Sequence, residues 1–297
     1  MNTIIANALG MEFSILFLVL CVLAFLAGVS LNGYMLFITG FRVERTVSAV
    51  WFLNQALSDF IFIAFLPLRC TSIFLLDSEW AERLSSAIIS VHLFSSAFLL
   101  TALSVHRCIL VERPAWAQNH CIPRLAVWVV LGMWALSFGF GLRCSDLWEY
   151  VLPPARIWAR LQQQKEWLKA AVAMQFLVGF LIPLALILIP TFYILLAAKL
   201  RRNRLSQSTK PLKILLGLVP NFLICWLPYH ILCLLLISDA FPSPPWIKGS
   251  VFVSVLTYFN SCLNPIFYLT MEDEFLRYRQ CARNPQTADN SGPEPAE

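Results

Sequence analysis

Residues 259–268 read Phe-Asn-Ser-Cys-Leu-Asn-Pro-Ile-Phe-Tyr, so polar side chains and a proline interrupt an otherwise apolar run. Polar groups at membrane depth are costly unless neighbouring helices satisfy them. Proline removes a backbone hydrogen-bond donor and bends a helix. The stretch therefore predicts a membrane-spanning helix that packs inward against other helices and is built to deform.

The composition of the whole chain agrees with a membrane location. The chain has 297 residues, of which 59% are hydrophobic and 13% charged, and its mean hydropathy is +0.70. Soluble domains carry about 25% charged residues, and one helical span needs about 20 apolar residues. We predict an all-α integral membrane protein, a bundle of seven transmembrane helices, with spans 1 to 7 near residues 13–38, 48–68, 84–105, 125–142, 170–198, 214–237 and 249–270.

Basic residues predict how this bundle lies in the membrane. Of the 22 Lys and Arg residues, 14 fall on the side of the first, third and fifth connections and the C-terminus, and 8 on the other side. The N-terminus is therefore expected outside and the C-terminus in the cytosol. Residues 1–283 form the membrane domain, in which 272–281 is predicted to be a short amphipathic eighth helix. Residues 284–297 read as a disordered cytosolic tail.

Several function classes are not expected. The four histidines show no metal-binding spacing, and the one deep carboxylate, Asp59, has no acidic partner, so no enzyme is predicted. The chain has no internal repeat of the kind that builds many transporters. The net charge of +5 reflects the basic cytosolic loops, so no nucleic-acid partner is expected.

Four motifs resemble those of rhodopsin-like (class A) G-protein-coupled receptors. Cys225-Trp226-Leu227-Pro228 lies in span 6, Asn264–Tyr268 closes span 7, and His106-Arg107-Cys108 ends span 3. The loop Pro114–His120 resembles that of the chemoattractant subgroup, and the chain looks most like formyl-peptide receptors and their chemerin-type and prostaglandin D2 type 2 relatives. The resemblance implies a multi-pass plasma-membrane receptor among membrane lipids. It also implies an extracellular ligand, a chemoattractant-like peptide or lipid, and a heterotrimeric G protein of the inhibitory type.

The same resemblance implies roles for individual residues. A sodium ion is the only candidate cofactor, and its site would comprise Asp59, Ser96, Asn260, Ser261 and Asn264. The alternative is that these five residues form a cluster of polar side chains that only holds the helices together. The activation switch would comprise Trp226, Pro228, Asn264 and Pro265. The ligand pocket would comprise His92, Gln175, Trp226 and Tyr229, and G-protein coupling would use Arg107, Tyr193 and Tyr268. Cys281 is a candidate for lipidation, with an inert tail thiol as the alternative.

Some positions depart from the family pattern. His106 replaces the carboxylate that normally restrains the adjacent Arg107, which predicts raised basal activity or poor coupling. Cys144 lacks its usual partner on span 3, which leaves either a substitute pairing with Cys70 or two free thiols. Tyr193 is displaced by two residues, so its partnership with Tyr268 is in doubt. These losses keep open a second reading, a non-signalling decoy or degenerate seven-helix binding protein.

Overall fold

The structure, a computed structural model, describes residues 11–74, 79–147, 165–200, 210–237 and 244–271. The predicted eighth helix, Cys281 and the predicted tail lie outside these residues. The helices in chain order are α1 (Met11–Phe41), α2 (Val47–Ala64), α3 (Leu66–Phe74), α4 (Glu79–Glu112), α5 (Pro114–His120), α6 (Pro123–Cys144), α7 (Lys165–Phe176), α8 (Ile182–Leu200), α9 (Lys210–Leu236) and α10 (Pro244–Met271), with a π-helical turn at Leu177–Leu181 between α7 and α8.

The predicted seven-span, all-helical fold is confirmed. In the described part of the chain, seven helical segments are long and apolar enough to cross a membrane, and each coincides with one predicted span. Helix α1 forms span 1, α4 span 3, α6 span 4, α9 span 6 and α10 span 7. Span 2 combines α2 and α3, and span 5 combines α7, the π turn and α8.

Prolines shape the two composite spans. Span 2 is interrupted at Phe65, two residues before Pro67, whose ring cannot continue the hydrogen-bond pattern of α2. In span 5, the π turn at Leu177–Leu181 ends just before Pro183. Pro183 has no N–H to donate to the Gly179 carbonyl, and the helix takes up one extra residue at this point. The prolines at 190, 220, 228 and 265 lie inside helices.

Span 3 is the central helix of the bundle. In the most apolar window of each span, 78% of the residues are buried in span 3 against 22% in span 1. Gly141 of span 4 allows a close approach to span 3, because a Cβ added there would lie 2.7 Å from the Val91 Cα. Small residues at such contacts are the usual means of helix association in membranes. Residues on span 3 are therefore the natural centre of any buried site.

Candidate functional site

The predicted polar cluster of spans 2, 3 and 7 centres on Asp59. The Asp59 side chain is completely buried, and its Oδ2 accepts hydrogen bonds from Asn264 Nδ2 at 3.0 Å and Gln55 Nε2 at 3.4 Å. Gln55 Nε2 also donates to Ser96 Oγ at 3.3 Å. The second oxygen, Asp59 Oδ1, accepts no hydrogen bond from any residue that the structure describes. One half of the carboxylate is thus satisfied by amides, and the other half remains available to a positive group.

His92, predicted as a ligand-pocket residue, belongs to this same cluster. Its Nε2 lies 3.6 Å from Asp59 Oδ1 and 3.1 Å from Ser261 Oγ, and its Nδ1 lies 3.1 Å from Ser58 Oγ. The imidazole also stacks on the Phe62 ring with centroids 4.1 Å apart. Because both ring nitrogens have hydroxyl partners, the ring is held in one orientation between spans 2 and 7. The sequence did not predict the contact between His92 and Asp59, although a histidine at the depth of a lone carboxylate was the available signal.

A second set of amides joins spans 6 and 7. Asn221 Nδ2 donates to Asn260 Oδ1 and to Asn264 Oδ1, both at 3.1 Å. Asn221 was not predicted as a site residue. It lies five residues before Trp226 on span 6, so the predicted switch helix is tied directly to the Asn264–Pro265 motif of span 7.

Asn32 of span 1 compensates for the proline of that motif. Pro265 has no N–H to donate to the Ser261 carbonyl, the acceptor that a regular helix would pair with position 265. Asn32 Nδ2 donates to this carbonyl at 3.0 Å and to the Gly28 carbonyl at the same distance. A bent helix at membrane depth therefore keeps its backbone satisfied through a side chain of another helix.

The remaining predicted pocket residues pack directly above the Asp59 cluster. Tyr229 Oη donates to Gln175 Oε1 at 3.1 Å, which links span 6 to span 5. The Trp226 and Tyr229 rings are perpendicular with centroids 6.2 Å apart, and Trp226 lies 5.9 Å from the His92 ring. Trp226, Tyr229 and Gln175 are all fully buried. The structure thus brings the four predicted pocket residues into one continuous group that reaches Asp59 through His92.

The predicted coupling residues lie at the other end of span 3. The Arg107 Cζ lies 5.9 Å from the centroid of the Phe52 ring, and the Phe52 and Tyr268 rings are 4.7 Å apart. Arg107 is 6% exposed and Tyr268 2% exposed, so both are covered. Tyr193 Oη instead donates to Glu112 at 2.5 Å. Arg107 and Tyr268 therefore both contact the Phe52 ring. The hydroxyl of Tyr193 is hydrogen-bonded to Glu112 of span 3.

The cysteines do not form the substitute bridge considered for Cys144. Cys70 and Cys144 are both free thiols in the structure. The Cys144 Sγ lies 3.9 Å from the Ala171 carbonyl, and the Cys70 thiol lies beside that of Cys21 of span 1. The physical reason is position, since Cys70 at the end of span 2 faces Cys21 of span 1, whereas Cys144 at the end of span 4 faces Ala171 of span 5. The two-free-thiol alternative describes this structure.

Seven helices around a buried carboxylate, with a proline-bent seventh span tied to the sixth, define a seven-helix membrane receptor. The profile of the family described as 7 transmembrane receptor (rhodopsin family) matches residues 32–268, and the chain belongs to this family.

Similarity to individual proteins narrows the family to the predicted chemoattractant subgroup. The chain is 32% identical over 277 residues to chemerin-like receptor 1 of Homo sapiens, a match that covers 85% of this chain and 74% of that receptor. It is 32% identical over 282 residues to N-formyl peptide receptor 3 of Pan troglodytes, with 84% and 78% covered. It is 33% identical over 290 residues to formyl peptide receptor 2 of Mus musculus, with 88% and 81% covered. The chain is a multi-pass protein of the plasma membrane and a receptor, not an enzyme.

Proposed function

We propose that this chain binds an extracellular chemoattractant-like peptide or lipid and signals through a heterotrimeric G protein of the inhibitory type. The observation that supports this most is the continuous buried group from Gln175 and Tyr229 through Trp226 and His92 to Asp59. Its links are hydrogen bonds and ring contacts, each between residues that are buried. A ligand that displaces the outer members would change the position of span 6, because Trp226 and Tyr229 of that span are buried and in contact with the other members.

Span 6 is the element whose position this group biases. Pro220 and Pro228 both interrupt its backbone hydrogen bonding, and Asn221 between them holds it to span 7. With the N-terminus outside, as the distribution of basic residues favours, Arg107 is at the cytosolic end. Arg107 is covered in this structure, where it contacts the Phe52 ring of span 2, and we infer that an outward movement of span 6 exposes it to a G protein. The ligand acts by binding the outward position more tightly, which shifts the equilibrium between the two positions.

Two cations lie near the outer rim of the bundle. Arg69 is 5% exposed at the outer end of span 2, and Lys169 is half-buried near the start of span 5. Lys169 Nζ forms an ion pair of 2.8 Å with Glu166. Because Arg69 is buried and Lys169 is paired with Glu166, a ligand with a small apolar or peptide group fits this rim as well as one with a carboxylate.

Basal activation of an inhibitory G protein in cells tests the proposal, with wild type compared with Arg107→Ala. Surface expression is quantified in parallel. Arg83→Ala is the matched control, because this arginine is 65% exposed in its side chain and lies at the opposite end of span 3. We expect a basal signal that Arg107→Ala abolishes and Arg83→Ala preserves. Silence from wild-type protein that reaches the surface would contradict the proposal.

That silent outcome would support the second candidate, a non-signalling decoy. Two observations favour it. His106 stands where the family has a carboxylate beside Arg107, and Cys144 is a free thiol where the family has a bridge. A decoy would retain the buried group around Asp59 as a structural element and would bind ligand without any change in G-protein activity.

We also propose that the Asp59 cluster holds a sodium ion. Asp59 Oδ1 is a buried carboxylate oxygen without a hydrogen-bond partner among the described residues, which is the kind of ligand that a hard cation prefers. Asn264 contacts Asp59 directly, and Ser96 reaches it through Gln55. Ser261 lies beside both Asp59 and His92, and Asn260 joins through Asn221. The ion would supply the positive charge that a buried carboxylate lacks.

Thermal unfolding of the purified receptor in sodium chloride, against N-methylglucamine chloride of equal ionic strength, tests this site. Sodium should raise the midpoint temperature of unfolding of the wild-type receptor and leave that of the Asp59→Asn variant unchanged. An equal response of the two proteins would leave the cluster as a polar contact between helices.

A further inference from the structure

Two cysteines meet where span 1 packs against the end of span 2. The thiol of Cys21 on α1 lies beside that of Cys70 on α3, and both are thiols in this structure. Cys21 is 3% exposed, whereas Cys70 is partly exposed. Neither residue belongs to the buried group that runs from Gln175 to Asp59. The function proposed above therefore gives no reason for this pair of nucleophilic side chains.

The packing of the two spans accounts for the position of the pair. Spans 1 and 2 touch closely at Gly28, where an added Cβ would lie 2.9 Å from two side-chain carbons of Ile63. The two spans are consecutive and run antiparallel, so seven residues back from Gly28 and seven residues on from Ile63 lead to the same level. These positions are Cys21 and Cys70. Because seven residues are about two helical turns, each cysteine also lies on the face that makes the close contact.

A disulfide bond requires two cysteines that face each other closely, with Cα atoms no more than about 7 Å apart. Residues that face each other across a close helix contact are the ones that reach such a separation. The pair is also isolated from metal-binding partners, because the described residues contain no group of three or more His, Cys, Asp or Glu side chains that could hold a metal ion. The geometry therefore favours a bond between the two sulfur atoms over a shared metal ion.

The depth of the pair places it near an oxidising compartment. Asp59 is the midpoint of span 2, which runs from Val47 to Thr71, and Cys70 follows it by eleven residues. At 1.5 Å per residue this distance is about 16 Å, which is close to the edge of a hydrocarbon core about 30 Å thick. With the N-terminus outside, as the basic residues favour, this edge faces the lumen of the secretory pathway during synthesis. Disulfide bonds form and persist in that compartment.

We propose that Cys21 and Cys70 form a disulfide bond that links span 1 to span 2. The oxidant is the disulfide of a thiol–disulfide oxidoreductase of the secretory pathway. The partly exposed Cys70, as a thiolate, attacks one sulfur of that disulfide and forms a mixed disulfide. The Cys21 thiolate then attacks the Cys70 sulfur, and the oxidoreductase leaves as a dithiol that carries the two protons. Two receptor thiols are oxidised to one disulfide, and one disulfide of the oxidoreductase is reduced to two thiols.

The bond would hold a span that has few buried residues of its own. In the most apolar window of span 1, 22% of the residues are buried, against 56% in span 2. A covalent link near the outer end of span 1 keeps it next to span 2 when the rest of the bundle loosens. The bridge is distinct from the family bridge that Cys144 has lost, because it joins two neighbouring helices and does not involve span 3.

Counting the free thiols of the full-length receptor from mammalian cells tests the bond. The receptor is solubilised with N-ethylmaleimide present, denatured, and its intact mass is measured with and without prior reduction by a phosphine. Of the nine cysteines in the chain, we expect two more to be alkylated after reduction than before it. Proteolysis of the unreduced protein should yield one linked pair of peptides, which contain Cys21 and Cys70. This measurement needs only wild-type protein, and it involves neither a ligand nor a G protein.

Variants then test the assignment and its effect on stability. Cys21→Ala and Cys70→Ala should each abolish the difference of two alkylated thiols. Cys144→Ala is the matched control and should preserve it, because this buried thiol lies beside Ala171 at the end of span 4. The phosphine should lower the midpoint temperature of unfolding of the wild-type receptor by several degrees and leave that of Cys21→Ala unchanged.

Either of two results overturns the proposal. Equal numbers of alkylated thiols with and without reduction, in wild-type receptor, would show that Cys21 and Cys70 remain thiols. A linked pair of peptides that joins Cys70 to Cys144, together with loss of the difference in Cys144→Ala, would show that the bridge connects span 2 to span 4 instead.

Discussion

Asn32→Ala should destabilise the receptor because it leaves the Ser261 carbonyl buried without its observed donor. Asn32 is fully buried, and its Nδ2 lies 3.0 Å from that carbonyl. An unsatisfied buried acceptor costs about 1–3 kcal/mol in proteins generally, whereas hydrogen bonds between membrane helices average about 0.6 kcal/mol and reach about 1.7. Because Pro265 has no N–H, the Ser261 carbonyl has no regular helical donor to replace Asn32. We therefore expect the free energy of unfolding to fall by about 1–2 kcal/mol, near the upper value for hydrogen bonds between membrane helices.

Pro265→Ala isolates the cause of that loss. Alanine restores a backbone N–H at position 265, which can donate to the Ser261 carbonyl as in a regular helix. In the Pro265→Ala background, Asn32→Ala should therefore cost about 1 kcal/mol less than in wild type, a coupling typical of groups that share a partner. The free energy of unfolding is measured in mixed detergent micelles for wild type, the two single variants and the double variant, which together form a double-mutant cycle. The difference between the two costs of Asn32→Ala is the coupling.

Thr270→Ala is the matched control for this cycle. Its hydroxyl donates to the Ile266 carbonyl within one helix and is exposed, so its loss should change the free energy of unfolding by less than about 0.5 kcal/mol. If Asn32→Ala costs the same with Pro265 and with Ala at that position, the argument that Asn32 replaces the missing proline donor is refuted.

Three further variants test individual contacts. Tyr229→Phe removes the hydrogen bond to Gln175 and should lower the free energy of unfolding by about 0.5–1.5 kcal/mol, measured in the same micelles; an unchanged value would show that this link contributes nothing. Tyr193→Phe breaks an exposed contact with Glu112 and should cost less than about 1 kcal/mol, so a loss above 2 kcal/mol would show that this tyrosine has another role. His106→Asp should lower basal G-protein activation about three- to tenfold at equal surface expression, since it restores a carboxylate beside the adjacent arginine; unchanged basal activity counts against the restraint.

The seven spans could be predicted because each depends on local composition. A run of about 20 apolar residues must be helical in a membrane whatever its neighbours are, and all seven runs are helical here. The π turn at Leu177–Leu181 could not be predicted in this way. Pro183 indicates a disturbance in span 5, but whether the backbone bends or takes up an extra residue depends on how the helix packs against span 3.

For the polar cluster around Asp59, the sequence indicated some of the residues but not the contacts between them. The resemblance named Asp59 and Asn264, and the structure places them in direct contact. It did not identify Asn221 as their link to span 6, and it assigned His92 to the ligand pocket without its contact with Asp59. The rotation of span 3 about its own axis decides which face His92 occupies, and because span 3 is buried over most of its surface, its hydropathy pattern gives little information on that angle. The same limit applies to Cys70, because the sequence did not indicate that Cys21 of span 1 would be its neighbour.

The central claim is that span 6 moves outward to expose Arg107, and one distance tests it without knowledge of the ligand. Spin labels attached through non-natural amino acids at Leu125 on span 4 and Leu216 on span 6, which are 51% and 52% exposed, report the separation of these helices by pulsed electron resonance. Nucleotide-free inhibitory G protein added to the receptor in nanodiscs should shift the distance distribution outward by several ångströms, and Arg107→Ala should remove the shift. The receptor sample must show a thermal unfolding transition, which establishes that it is folded. If the G protein then leaves the distance distribution unchanged, the result contradicts the account and supports a binding protein that does not signal.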